Sequence, residues 1–288
     1  MGASGEGAPV GDARAAVGRD RRDLQSAPVA SDEQQYHIGF SRSDLPEGTS
    51  IALLSGDPGR SELIAMKRLR SGAELARNRG LDAFVATLPG GAPVVCATSG
   101  MGAPSMSIVV NELVQTGITT VIRIGTSGSI QARVRAGEVV IGLGALTNQG
   151  AALDIAPPEF PAVADPFLTV ALAGAAADLG VAHHVGVMAS VDTFFEGQER
   201  TTSSANPHLL RRLRGMIDEY RALGVLNFEM EAGTLFKMGV VYGFAAACVC
   251  GIIAQRDEAE QPLHDVKDAA IDGAIRVAVE GAERWSRR

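Results

Sequence analysis

From Tyr36 onward the chain repeats one pattern: a short apolar run, a turn carrying Gly or Pro, then a helical stretch. Strands read at Ile51 to Leu54, Phe84 to Leu88, Val94 to Thr98 and Thr120 to Ile124. Further strands read at Glu138 to Leu146, His184 to Val191, Val225 to Phe228 and Ala245 to Ile253. The intervening patterns predict helices over Arg60 to Arg70, Pro104 to Thr116, Pro166 to Leu179, Pro207 to Arg221, Met230 to Val240 and His264 to Trp285. Strands that alternate with helices must bury both sheet faces, so the expected fold is α/β, a sheet between two helical layers. No internal repeat and no linker follow residue 35, so residues 35–288 read as one domain.

Composition narrows the function classes. Of 288 residues, 46% are hydrophobic and 20% charged, enough apolar material for one large core. The most apolar run, Gly239 to Ala254, falls short of the roughly 20 residues a bilayer requires and is rich in Ala and Gly, so no membrane partner is expected. The formal net charge of −7 argues against nucleic acid. Residues 1–34 carry Gly, Ala, Ser, Arg and Asp without apolar period, and acids at Glu6, Asp12, Asp20 and Asp23 speak against a transit peptide. They read as a disordered tail. The three cysteines, Cys96, Cys248 and Cys250, sit in apolar runs, as expected of a reduced cytoplasmic protein without disulfides. Cys248 and Cys250 share a strand face but lack further ligands, and the scattered histidines form no metal motif, so no metal is expected.

Ligands of such folds gather where strands end and loops begin. Ser55-Gly56-Asp57-Pro58-Gly59-Arg60 follows a strand. Its glycines free amides to face an anion, and Arg60 at a helix start opposes the dipole unless an anion sits there; taken alone, the segment favours an ordinary turn. Ser99-Gly100-Met101-Gly102 is half of a dinucleotide fingerprint without its third glycine, and reads equally as a functional or a structural turn. Arg123 interrupts an apolar strand, followed by Gly125, Thr126, Ser127 and Gly128. A guanidinium beside hydroxyls and a free amide suits phosphate oxygens; the bland alternative is an edge-strand Arg that snorkels. The loop Phe194 to Arg200 joins aromatics to the amide of Gln198 and the guanidinium of Arg200, groups able to read a base, though a solvated loop fits as well. Glu229 and Glu231 stand at a strand-to-helix junction, where capping is the bland account and a ribose diol the functional one.

In order, His37-Ile38-Gly39, Gly56-Asp57-Pro58, Arg123-Ile124-Gly125-Thr126, Gly197-Gln198-Glu199-Arg200 and Glu229-Met230-Glu231 resemble the uridine-cleaving branch of the nucleoside phosphorylase family. The resemblance runs from His37 to the last helix. It implies a three-layer α/β/α sandwich with a mixed central sheet, and phosphorolysis of uridine to uracil and ribose 1-phosphate in pyrimidine salvage, with deoxyuridine and thymidine as further substrates to test. It implies that Gly56, Arg60, Arg123 and Thr126 hold phosphate, with Arg79 lent by a neighbouring subunit. Met230, Glu231 and Glu229 would hold the ribose, with the neighbour's His37 at its 5′ end. Phe194, Gln198, Arg200, Gly128 and Ser127 would take the base, supported by Arg256. A homo-oligomer with shared sites, dimer or hexamer, follows. Inorganic phosphate is then a co-substrate, and no cofactor is implied. Gly80 stands where the family has a Glu that helps hold a monovalent cation between subunits, which puts that ion in question. Gln255 stands near an Asp that protonates the purine in purine-cleaving members, and an amide cannot act as that acid. A purine nucleoside phosphorylase and a non-catalytic nucleoside-binding protein are the rival readings.

Overall fold

The computed structural model describes residues 32–256 and 264–288. Most of the expected tail, residues 1–31, lies outside the described residues. Among the described residues nine strands form a mixed sheet: β1 (Ile51–Ser55), β2 (Arg70–Ala76), β3 (Ala83–Thr87), β4 (Pro93–Thr98), β5 (Thr120–Ser129), β6 (Val139–Thr147), β7 (His183–Ser190), β8 (Asn227–Glu229) and β9 (Ala245–Gln255). The α-helices of the described residues flank it: α1 (Pro58–Leu63), α2 (Ala103–Gln115), α3 (Gly150–Ile155), α4 (Pro166–Asp178), α5 (Met216–Ala222), α6 (Ala232–Tyr242) and α7 (His264–Ser286).

The strand order is β2-β3-β4-β1-β5-β8-β7-β6-β9, and β5 also pairs with β9. The second half of the sheet therefore closes into a five-strand circuit through β5, β8, β7, β6 and β9. β5 pairs parallel with β1 and β9 and, at its far end, antiparallel with β8. Alternate residues feed two cores. Ala52, Leu54 and Val121 pack with α2 and α6, while Ile51, Leu53 and Ile122 pack with α4 and α7. Burial on both faces explains why these strands read as continuous apolar runs. A third, smaller cluster sets Tyr220 and Met216 of α5 against Phe228 and Ile130.

Several boundaries differ from the sequence reading, each for a local reason. β2 was not expected, because its residues are largely exposed and form no apolar run; it is an edge strand, broken by register shifts against β3. The helix expected over Arg60 to Arg70 begins at Pro58 behind an Asp57 cap, and its last turn, Ile64–Arg68, is a π-helix. The single helix expected over Pro207 to Arg221 does not form. Residues 211–213 make one 3₁₀ turn, Gly215 takes φ +78°, and only Met216–Ala222 is α-helical. α3 was missed in the segment after β6. Arg123 is not on an edge strand: Leu54 and Cys248 flank it in register, and it is 5% exposed.

Candidate active site

The strand ends β1, β5 and β8 open onto one cleft of about 480 Å³. At one end β1 runs into Gly56 and α1. The Asp57 carboxylate accepts the Arg60 amide at 2.9 Å, which fixes the turn and brings the Arg60 side chain over β5, where Nη1 donates to the Ile124 carbonyl at 3.3 Å. Arg123 rises from the middle of β5 on the α2/α6 face. Its guanidinium folds back over Gly125, where a Cβ would lie 2.2 Å from Nη1 and 3.0 Å from Cys250 Sγ. The absence of a side chain at Gly125 is thus what admits the guanidinium.

Arg123 Nη2 donates to Glu231 Oε2 in a buried ion pair. Its Nε and Nη1 are buried and have no hydrogen-bond partner among the described residues. Burial works against the Arg123 charge, and Glu231, with Glu229 behind it, outweighs burial and holds the pKa above that of a free guanidinium. Burial pushes Arg60 the other way; Asp57 opposes that and the neighbouring Arg123 charge adds to it. Two guanidiniums crowded in this way favour an anion between them.

The two carboxylates at the start of α6 divide their work. Glu229 Oε2 accepts the amides of Glu231 at 2.8 Å and Ala232 at 2.7 Å, and Ser190 Oγ donates to Oε1. Its Oε2 thus caps the backbone at the start of α6, so capping describes Glu229, and burial followed by the Glu231 charge raises its pKa. Glu231 Oε1 accepts the Gly102 amide at 2.6 Å. Gly102 has φ +86°, a conformation costly for any residue with a Cβ, and that turn aims its N–H at Glu231. Gln149 Nε2 donates to the Met230 carbonyl at 2.5 Å while its oxygen accepts from Thr234, so a buried amide fixes the Met230–Glu231 backbone.

At the far end Arg200 lies over the Phe194 ring, 4.2 Å from its centroid, and Arg200 Nε donates to Gln198 Oε1 at 3.3 Å. That contact orients the Gln198 amide with its NH₂ group away from Arg200. Thr126, Ser127 and Gly128 form the floor, and the Ser127 hydroxyl is buried without a partner among the described residues.

The cleft thus brings together Gly56, Arg60, Arg123 and Thr126, then Glu229, Met230 and Glu231, then Ser127, Gly128, Phe194, Gln198 and Arg200. Three expected residues do not line it. Arg256 backs the wall, packed behind Gly128 and 5.7 Å from the Phe228 centroid. His37 is held to α2, its Nδ1 2.5 Å from Glu112 Oε1. Arg79 is exposed, beside the Tyr36 ring. Gln149 and Ser190 were not singled out by sequence; Met101 and Gly102 stood only in the half-fingerprint turn, with no role assigned to either. No group of His, Cys, Asp and Glu among the described residues is arranged to hold a metal, and no helix among them is long and apolar enough to cross a membrane.

The mixed sheet opens its strand ends onto a cleft that holds the buried Arg123 and the half-buried Arg60, and the family whose model this chain matches is the phosphorylase superfamily. That family's model matches residues 50–280, and the chain belongs to it. Among its relatives, the uridine phosphorylase of Salmonella typhimurium is 41% identical over 249 residues, covering 86% of this chain and 97% of that one. The uridine phosphorylase of Thermococcus kodakarensis is 34% identical over 262 residues, covering 90% and 92%. A guanosine phosphorylase of Halorubrum lacusprofundi is 32% identical over 220 residues, covering 76% and 83%.

Proposed function

We propose that the protein cleaves uridine with inorganic phosphate, giving uracil and ribose 1-phosphate. The observation that carries the reading is Arg123: a buried guanidinium with two nitrogens unpartnered among the described residues, beside Arg60, at one end of a cleft whose other end offers an amide and a third guanidinium. Gly56, Arg60, Arg123 and Thr126 hold the phosphate. Glu231 takes the ribose diol, Met230 packs on the sugar, and Glu229 fixes the segment from behind. Phe194, Gln198 and Arg200 take the base over Ser127 and Gly128, with Arg256 supporting the wall.

A phosphate oxygen attacks the anomeric carbon as the bond to the uracil nitrogen breaks. The bonding pair leaves with uracil and spreads over its carbonyl oxygens, where Gln198 and Arg200 donate. The arginines hold the phosphate in line, so binding is converted into position at the reacting centre. Among the described cleft residues the carboxyls are Asp57, Glu229 and Glu231, and none is at the base end. Gln255 turns toward the Val134 carbonyl, 3.5 Å away. A departing purine ring would find no acid there, whereas uracil needs none. Arg79 and His37 lie outside the cleft of one chain, and they serve the site of a second copy in a homo-oligomer. Gly80 is exposed and offers no carboxylate, so no interfacial cation is part of this reading.

Incubation with uridine, with and without phosphate, tests it. Phosphate-dependent release of uracil and ribose 1-phosphate is expected, with inosine and guanosine much slower. Uracil release without phosphate would make the protein a hydrolase. Faster cleavage of guanosine would move it toward the relative from Halorubrum lacusprofundi. Nucleoside binding without product would mark a non-catalytic binder.

A further inference from the structure

Gln198 and Arg200 line the cleft, and the residue between them does not. Glu199 sits in the left-handed region, φ 51° and ψ 36°, one of few non-glycine residues to do so among the described residues. Its neighbours fix the bend: the Glu199 amide donates to the Glu196 carbonyl at 3.2 Å and the Arg200 amide to the Phe195 carbonyl at 2.7 Å. A residue with a Cβ adopts this conformation only where its surroundings hold it there.

The holding contact is its carboxylate. Glu199 Oε1 accepts the Gly215 amide at 2.6 Å and Oε2 accepts the Ile217 amide at 2.8 Å. These are free amides at the start of α5, whose own N-cap residue is Gly215 and supplies no side-chain cap. A carboxylate from another loop thus does the work a capping Asp or Ser does elsewhere. α5 is in turn anchored to the body of the protein. Tyr220 packs against the cleft residue Phe228 with centroids 5.8 Å apart, and its hydroxyl accepts from Asn148 at 3.0 Å. Arg221 Nε donates to the Ile130 carbonyl at 2.9 Å, just past the end of β5.

We infer that Glu199 is a positioning residue for base recognition: its carboxylate fastens the 194–200 loop to α5, and so sets Gln198 and Arg200 against the base. The inference rests on the reading of that loop as the base-binding end. Loss of the fastening acts on the base and leaves the phosphate end untouched, since Arg60 is held by the Asp57 cap of α1 and by the Ile124 carbonyl, and Arg123 by β5.

The test compares wild type with Glu199→Gln and Glu199→Gly. Gln keeps the side-chain length with a single acceptor oxygen. Gly relieves the backbone and removes the strut, so a defect there reports the carboxylate and not the left-handed bend. In the synthetic direction, the KM for uracil should rise about tenfold or more in the Gly variant and less in the Gln variant. The KM for ribose 1-phosphate and, in the forward direction, for phosphate should stay within about twofold. Hydrogen exchange at the Gly215 and Ile217 amides should quicken in both variants. Equal rises in all three KM values, or an unchanged uracil KM in an active enzyme, would overturn the inference. Unchanged exchange at the two amides would overturn it whatever the substrate. A wild-type protein that releases no uracil with phosphate refutes the proposed function instead, and the exchange measurement then still decides whether Glu199 is the strut.

Discussion

Arg123→Met and Glu231→Gln, singly and together, separate the two tasks assigned to the buried ion pair. Arg123 is 5% exposed and Glu231 3% exposed, so each single change leaves a buried polar group without its charge partner. Breaking such a pair from one side costs about 3–5 kcal/mol. Glu231 keeps the Gly102 amide and Arg123 keeps the Coulombic pull of Glu229, so each cost should sit at the lower end of that range. The double variant buries neither charge and should lose clearly less than the sum of the singles. Urea unfolding at neutral pH measures all four proteins. The same titration with phosphate tests the binding role. Saturation to about 100 times Kd stabilises the native state by about 2.7 kcal/mol, and that increment should vanish in both proteins that lack Arg123. Turnover in Arg123→Met should fall by at least about 10²–10³. Additive losses in the double variant would refute the ion pair as an energetic unit. A full phosphate increment in Arg123→Met would refute the anion assignment.

Three further outcomes are expected. In Gly125→Ala the new Cβ, 2.2 Å from Arg123 Nη1, must displace the guanidinium, and kcat/KM should drop about 10²-fold with fold retained, as read by circular dichroism and initial rates. Arg200→Ala should raise the KM for uridine far more than that for phosphate; equal rises would mean that the base end is wrongly placed. Glu138 has its pKa lowered: burial raises it, but the Arg135 amide and His184 outweigh burial. A lowered folded value stabilises above the ordinary carboxylate pKa of 4.5, and that contribution is lost as pH falls through the folded value. The Tm deficit of Glu138→Gln should therefore be present at neutral pH and shrink in the acid limb; a deficit independent of pH would refute the linkage.

Much of this site was legible because its residues fall at strand ends, and strand ends follow from apolar periodicity. Arg123 could be placed within a strand and Gly125 to Gly128 just beyond its expected end, although β5 runs on to Ser129, but the strand's neighbours could not be placed: burial on two faces reads alike at an edge and at the centre. That is why an edge position for Arg123 stayed open until the pairing with β1 and β9 was seen. The division between Glu229 and Glu231 was also out of reach, since it depends on Ser190 and Gly102, distant in sequence. The failed helix over Pro207 to Arg221 has the same origin. Its amphipathic spacing is genuine, but α5 starts only at Met216, where Glu199 supplies the cap from another loop. Local pattern reports propensity, and here a distant carboxylate decides where the helix begins.

The closed circuit of β5, β8, β7, β6 and β9 bears on how such a protein changes its diet. A sheet joined end to end has no slack edge along which strands can slide. Arg123 sits within that closed circuit on β5, whereas Phe194, Gln198 and Arg200 sit outside it, in the connection between β7 and β8. Under the proposed function, substitutions in that connection would retune which base is accepted while the strand-borne phosphate end stays as built, so one circuit of strands would serve different nucleosides through changes in a single loop.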